Sequence, residues 1–277
     1  MRKLLTTLGL ASILMFCASG TPNNVSNVAM AENSLQTVEE SWDVVETFDS
    51  EESIDEKFDF YFCSSQNARR GDKLSYTWTL ADGGIKRTGN VDAKADTVNI
   101  AIMSYVGEVY DDFELSVDFK AGSRTPYWPV IGIRQQIPGK YYTIEGGGTG
   151  VFMQQNGKIT FWGPITNGIY EKDIPGVANY YALMWHNMRI RAEGATVTVF
   201  VDDVQVAKVN VNATDYTKGY ISLISVNNDC VFDNFKLRSL SSNGQTGNEE
   251  NRYEYADWGQ SLDDIIENGY SGMTIPE

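Results

Sequence analysis

The stretch WHNMRIRAEGATVTVFVDDVQVAKV, Trp185 to Val209, alternates apolar and polar residues across two short polar breaks. Met188, Ile190 and Ala192 share one face, Arg189 and Arg191 share the other, and Val197, Val199 and Val201 resume the alternation. That two-residue repeat is the period of a pleated strand and not of a helix. Glu193-Gly194 and Asp202-Asp203 mark turns, because glycine takes positive φ freely and an aspartate side chain can hydrogen-bond its own turn. The stretch is a three-stranded antiparallel meander. A meander of this kind has one apolar face to bury, so it belongs to a larger pair of sheets.

Segments of the same kind recur on either side: SWDVVETF, DTVNIAIMSY, DDFELSVDFKA, YWPVIGIRQQ, TGVFMQQNGKITFWG and GYISLISVNNDCVFDNFKL. Short strands separated by Gly, Asn and Asp, with helical patterning almost absent, predict an all-β antiparallel β-sandwich of jelly-roll type. The one helix expected is SLDDIIENG, with Ser261 as N-cap, Asp264 in its first turn and Gly269 as its stop. No internal repeat is visible.

The 277 residues divide into a signal peptide (1–31), a linker (32–40), the sandwich (41–240) and an acidic tail carrying the short helix (241–277). Met1-Arg2-Lys3, the apolar run LLTTLGLASILMFCA and the small-x-small pattern Ala29-Met30-Ala31 point to export, hence to a secreted or cell-surface protein with no membrane span. Lipid attachment at Cys17 is the alternative to cleavage before Glu32, and Phe16 fits it poorly. Removing the first 31 residues, which hold two bases and no acids, takes the net charge from −15 to −17. Nucleic acid is therefore excluded as a partner. The tail holds eight acids against Arg252; it reads as a solvated spacer or, through Tyr253, Tyr255 and Trp258, as a docking segment. Cys63 and Cys230 are left to form a bridge or to stand as two free thiols, and both readings stay open.

DDFELSVDFKAG, VIGIRQQ, the meander itself, KGYISLIS and the closing VFDNFKL together resemble the concanavalin A-like lectin and glucanase superfamily. Within it the chain resembles the branch of laminin-G-like modules and the 3-keto-disaccharide hydrolase domain, over roughly residues 41 to 240. The resemblance implies a curved sheet able to hold a glycan, and a carbohydrate as the partner. It also suggests a structural calcium ion to which Asp233 would contribute; no other cofactor is required.

Parity selects the residues that would face the glycan. In YWPVIGIRQQ, Ile131 and Ile133 belong to the core, so Trp128, Val130, Gly132, Arg134 and Gln136 belong to the outer face. In the hairpin closed by Asn156-Gly157, Phe152, Ile159 and Phe161 are expected in the core and Val151, Met153, Lys158, Thr160 and Trp162 outside. In DDFELSVDF, Phe113, Leu115, Val117 and Phe119 point inward, and Asp112, Glu114, Ser116 and Asp118 outward. If these faces share one sheet, Trp128, Arg134, Gln136, Lys158 and Trp162 form a binding surface, because an indole stacks on a pyranose while polar groups bond its hydroxyls.

Glu114 and Asp118 are the acid pair a glycosidase reading would use, since that chemistry sets two carboxylates across the scissile bond. The Glu-x-Asp-x-x-Glu motif of family-16 glucanases is absent. A histidine-rich metal centre is excluded by the single His186, which sits at a strand entry. Gly146 to Gly150 lack the lysine and helix start of a phosphate loop and read as a rim turn. Three functions follow: a glycan-binding module, a glycoside hydrolase of the 3-keto-disaccharide type, and an extracellular structural module.

Overall fold

A computed structural model describes residues 41–64, 67–71, 77–88, 99–122, 128–140, 147–154, 157–163, 168–174, 184–211, 217–226 and 229–241. The expected signal peptide and linker, and the acidic tail beyond Ser241 with its expected helix, lie outside the described residues. The strands are β1 (Val44–Glu46), β2 (Phe58–Ser64), β3 (Asn67–Gly71), β4 (Trp78–Ala81), β5 (Gly84–Arg87), β6 (Asn99–Tyr110), β7 (Phe113–Lys120) and β8 (Pro129–Gln135). They continue with β9 (Thr149–Met153), β10 (Lys158–Gly163), β11 (Gly168–Asp173), β12 (Trp185–Glu193), β13 (Thr196–Val201), β14 (Val204–Asn210), β15 (Gly219–Val226) and β16 (Val231–Ser239).

Sheet I runs β14-β13-β12-β7-β16-β5-β4, with β1 paired to β16; sheet II runs β11-β10-β9-β8-β15-β6-β2-β3. Every pairing is antiparallel. The all-β antiparallel sandwich expected from the periodicity is what the chain forms.

The opening meander is β12, β13 and β14, and its parity holds residue by residue. Met188, Ile190, Ala192, Val197, Val199 and Val201 are all buried in the main core. Asp202 and Asp203 both adopt positive φ, the two-residue turn that matches the strands' right-handed twist. The first turn sits one residue later than expected, on Gly194-Ala195, because Glu193 pairs with Thr196. His186 shares a 2.7 Å hydrogen bond between its Nδ1 and Asp202 Oδ2, which ties the strand entry to the second turn.

A helix that the strand reading passed over, α1 (Glu51–Lys57), precedes β2. Its signal is the run Ser50-Glu51-Glu52-Ser53: Ser50 caps it by accepting from the Ser53 amide, and two acids occupy its first turn. At seven residues it is too short to stand alone, and Ile54, fully buried, holds it to the sandwich.

The main core between the sheets includes Phe58, Phe60, Phe113, Phe119, Phe161, Phe232 and Phe235. A second apolar cluster of Tyr61, Ile100, Ile102, Val130, Phe152, Ile224 and Val226 lies on the outer side of sheet II, with Trp128 and Trp162 packed against it. Cys230 is a buried free thiol whose ionisation is pushed up to about 12 by burial. Cys63 belongs to β2 in the opposite sheet from the strand that Cys230 leads into, and its side chain lies outside the described set.

Candidate functional site

The three faces that parity had joined do not share a sheet. β7 lies in sheet I, whereas β8, β9 and β10 lie in sheet II. Their outer faces therefore look away from each other across the core, and Glu114 and Asp118 stand on the opposite side of the molecule from Trp128 and Trp162. A single sugar cannot touch both sets.

Glu114 is outward-facing by parity yet only 1% exposed. Its carboxylate accepts from Arg189 Nη1 at 2.8 Å and from Arg238 Nε at 3.0 Å, with Arg191 Nη1 at 3.7 Å. The guanidiniums are themselves braced by rings, Arg189 over Phe200 at 4.0 Å and Arg238 over Trp42 at 4.9 Å. Burial pushes the Glu114 carboxyl upward, but the bonds from Arg189 and Arg238 outweigh it and hold the group below its ordinary value. A general acid needs the opposite shift, so Glu114 is a structural anion. Asp118 is equally committed: Asn187 Nδ2 donates to it at 2.7 Å and Asn234 Nδ2 at 2.8 Å.

Asp233, the residue suggested for calcium, also faces donors. Its two oxygens accept from the Asn234 amide at 2.8 Å and from Asn234 Nδ2 at 3.1 Å. Burial pushes its carboxyl up, and that bond from the Asn234 amide lowers it only in part. No group of three metal-binding side chains occurs among the described residues. A hard cation wants six or more oxygens; Asp118 and Asp49 also lie near enough to raise Asp233, but the hydrogen-bonded oxygens of Asp233 and Asp118 are taken up by Asn234.

On sheet II the register sets the outer face in rows. One row runs Trp162, Gly150, Gly132, Ser222, Ser104 across β10, β9, β8, β15 and β6. The next begins Glu171, Thr160, Phe152 across β11, β10 and β9 and resumes with Val130, Ile224, Ile102 and Tyr61 across β8, β15, β6 and β2. Beside it Lys158 stands 3.6 Å from Glu171, and Gln154 Nε2 donates to Thr160 Oγ1 at 2.7 Å. Trp128 stacks on Phe152 with ring centroids 5.1 Å apart, and its buried Nε1–H has no acceptor among the described residues. Trp128, Lys158 and Trp162 are thus gathered on one face as parity required.

Phe152, Val151 and Met153 are the reverse of the expectation. Val151 and Met153 sit in the main core and Phe152 outside it. A two-residue loop on Asn156-Gly157 would set Met153 against Thr160, whereas Met153 pairs with Ile159. The turn is one residue different, with Gln154 N bonded to Lys158 O, and a slip of one inverts a whole strand.

Arg134 is corrected for a different reason. It has φ of 52°, a conformation that costs a non-glycine residue energy, and it is fully buried. Its Nη2 donates to Asp111 O at 3.1 Å and Gly194 O at 2.7 Å, both in turns at the end of sheet I. The backbone irregularity between Tyr220 and Ser222 pairings marks the same place. Gln136 Nε2 donates to Arg134 O and Lys218 O, closing the strand end and not lining the floor.

Gln135 takes the outer-face position instead, and its amide lies over Gly132, where an added Cβ would meet Nε2 at 3.1 Å. It is fully buried and hydrogen-bonded with Ser222, which in turn meets Ser104 at 2.7 Å. Alternation could not find it, because a bulge resets the period. Gly148 was expected as a rim turn; it presses on β8, where a Cβ would meet Ile133 O at 2.1 Å.

The family model for the 3-keto-alpha-glucoside-1,2-lyase-like domain matches residues 64–238. The chain belongs to that family. Solved structures similar to it include a carbohydrate binding module from Bacillus subtilis, at 12% identity over 64% of this chain and 95% of the module, TM-score 0.43. LamAcat from Zobellia galactanivorans is 15% identical over 72% of this chain and 98% of its own, TM-score 0.47. A Bacillus subtilis protein of unknown function with a galectin-like fold is 10% identical over 72% and 96%, TM-score 0.49. No curated protein matches the sequence. The family match covers β3 to β15 and nearly all of β16, so the Trp162 row and both sheets apart from β1 and most of β2 belong to the family domain.

Proposed function

We propose that the chain is an exported glycan-binding β-sandwich whose ligand lies on the outer face of sheet II. The observation that carries this reading is the outer face of sheet II around the half-buried Trp162 and Trp128 indoles, where Gly150 beside Trp162 adds no side chain and Lys158, Gln154 and Glu171 supply accessible polar groups. A pyranose presents a C–H face to the indole and hydroxyls to polar groups, and bare backbone allows it to approach. The family domain supports a glucoside as the sugar class, and the Met1-Arg2-Lys3 start with Ala29-Met30-Ala31 supports export to the cell surface or medium.

Family membership favours a second reading, in which the bound 3-keto glucoside is cleaved. Elimination across its C1–C2 bond breaks C2–H and C1–O, forms C1=C2, moves the proton to a base and releases the alcohol after it takes up a proton. Two described carboxylates adjoin this face: Asp59, which continues the row beyond Ser104 on β2, and Glu171 at the Trp162 end, partnered by Lys158 and Gln154. A glycan array run beside an absorbance assay for the unsaturated ketone separates the two readings. Binding without product supports the lectin; product lost in Glu171→Gln supports the lyase; neither binding nor product sinks both.

A further inference from the structure

The polar groups at the end of the Trp162 row form a circuit with one allowed proton order. The Gly139 amide donates to Ser104 Oγ at 3.0 Å. Ser104 Oγ and Ser222 Oγ are 2.7 Å apart, and Ser222 Oγ in turn donates to Gln135 Oε1. Gln135 Nε2 donates to Lys140 O at 2.7 Å, returning the chain of bonds to the residue after Gly139. A carboxamide oxygen only accepts, so Ser222 must donate to Gln135 and Ser104 must donate to Ser222. Ser104, Ser222 and Gln135 are all fully buried, so every bond in the circuit is made away from water and is costly to lose.

What the circuit holds is a turn. Lys140 N bonds to Ile137 O at 3.2 Å across Pro138-Gly139, and Gly139 has φ of 73°, the type II arrangement that this dipeptide prefers. Gly139 lies directly on the ring of Tyr61, since an added Cβ would meet Tyr61 Cγ at 2.2 Å. Tyr61 and Ser104 belong to β2 and β6, so the turn crosses the face on the side away from Trp162. The strained Arg134 is what turns Gln135 outward to make the circuit.

We propose that Gln135 is the positioning residue of the glycan site, holding the Ile137–Lys140 turn down as a fixed wall, so that the site receives the end of a saccharide and not an internal run. This rests on the binding reading above. From Trp162 on β10 to Gln135 over β8 there are two strand spacings, about 10 Å, which accommodates one or two sugar rings.

The test is Gln135→Glu in the full chain. Ionised, the new carboxylate still accepts from Ser222 but sets an oxygen against Lys140 O. Protonated, it donates there as the amide does, and burial raises the pH at which that happens. Protection of the Gly139 amide against hydrogen exchange is expected to fall at least about tenfold in the variant at about pH 8 and to return at about pH 5, with the wild type level across that range. Affinity for α-glucosides of one to six residues should stop rising after the second in the wild type, and should keep rising in the variant only at the higher pH. Ser104→Ala, which removes the acceptor for Gly139 without adding charge, should lose the protection at every pH. An unprotected Gly139 amide in the wild type, or a Gln135→Glu chain that matches the wild type at both pH values, overturns the circuit. Wild-type affinity that climbs with each added sugar overturns the wall. Absence of binding to any glycan sinks the binding reading, and the exchange comparison still decides the circuit.

Discussion

Replacing Glu114 with glutamine removes the buried carboxylate on which the part-exposed Arg189, Arg191 and Arg238 converge, and leaves their like charges close together. Water still reaches those arginines, so the loss is about 1 to 2 kcal/mol, which denaturant unfolding would register as a lowered midpoint with glycan affinity unchanged. Lost affinity at full stability would return Glu114 to the site. The same carboxyl sets a pH dependence. Its folded value lies below its unfolded one, so its contribution is complete above the unfolded value of about 4.3 and is lost as pH falls through the folded one. Acid unfolding of the wild type should therefore show a loss in that window that Glu114→Gln lacks. On the other sheet, Trp162→Ala removes a stacking platform worth about 1 to 3 kcal/mol, a ten- to hundredfold loss of affinity measurable by titration calorimetry. Phe161→Ala, one residue earlier and wholly in the core, should cost about 3 to 5 kcal/mol of stability first. Parity told these neighbours apart from sequence. It could not show that Glu114 is buried among arginines, because side-chain burial on an outer face depends on two other strands, β12 and β16.

Gly219, at the start of β15, carries the element-scale prediction. A methyl there would meet Arg134 C and Gln135 O at 2.5 Å, backbone atoms of β8 that cannot swing away. Gly219→Ala should destabilise the sandwich by about 1 to 3 kcal/mol and loosen the Arg134 bulge, read as faster exchange of the Gly139 amide. An unchanged melting temperature would show that β8 and β15 slide apart freely. The opening meander was legible because its turns are short and its alternation unbroken. β8 and the β9–β10 hairpin were not, since a bulge at Arg134 and a one-residue change in the Gln154–Lys158 turn each invert parity while leaving composition untouched. α1 was missed because a seven-residue helix has too few turns to show a 3.6-residue period, leaving only its cap as a signal.

At the scale of the whole molecule, the polarity of the first 31 residues leads to one further prediction: the mature chain should begin at Glu32, with intact mass as the measurement and a lipidated Cys17 as the contrary result. The acidity of the chain, with a net charge of −15, belongs to the same level and needs no coordinates. The sequence by itself determined the strands of the alternating segments though not β2 to β5 or β11, the inward residues of β7, β12, β13 and β10, and the family to which they belong, because period, turn chemistry and local motif are properties of neighbours along the chain. Only the tertiary structure decided that β7 and β8 lie in different sheets, that Glu114 and Asp118 face away from Trp128 and Trp162, and that Gln135 stands where Arg134 was expected. Sheet membership and register are set by pairings between residues a hundred positions apart, such as Ser104 with Ser222 and Glu114 with Arg238, and no local pattern encodes which distant strand will supply the partner.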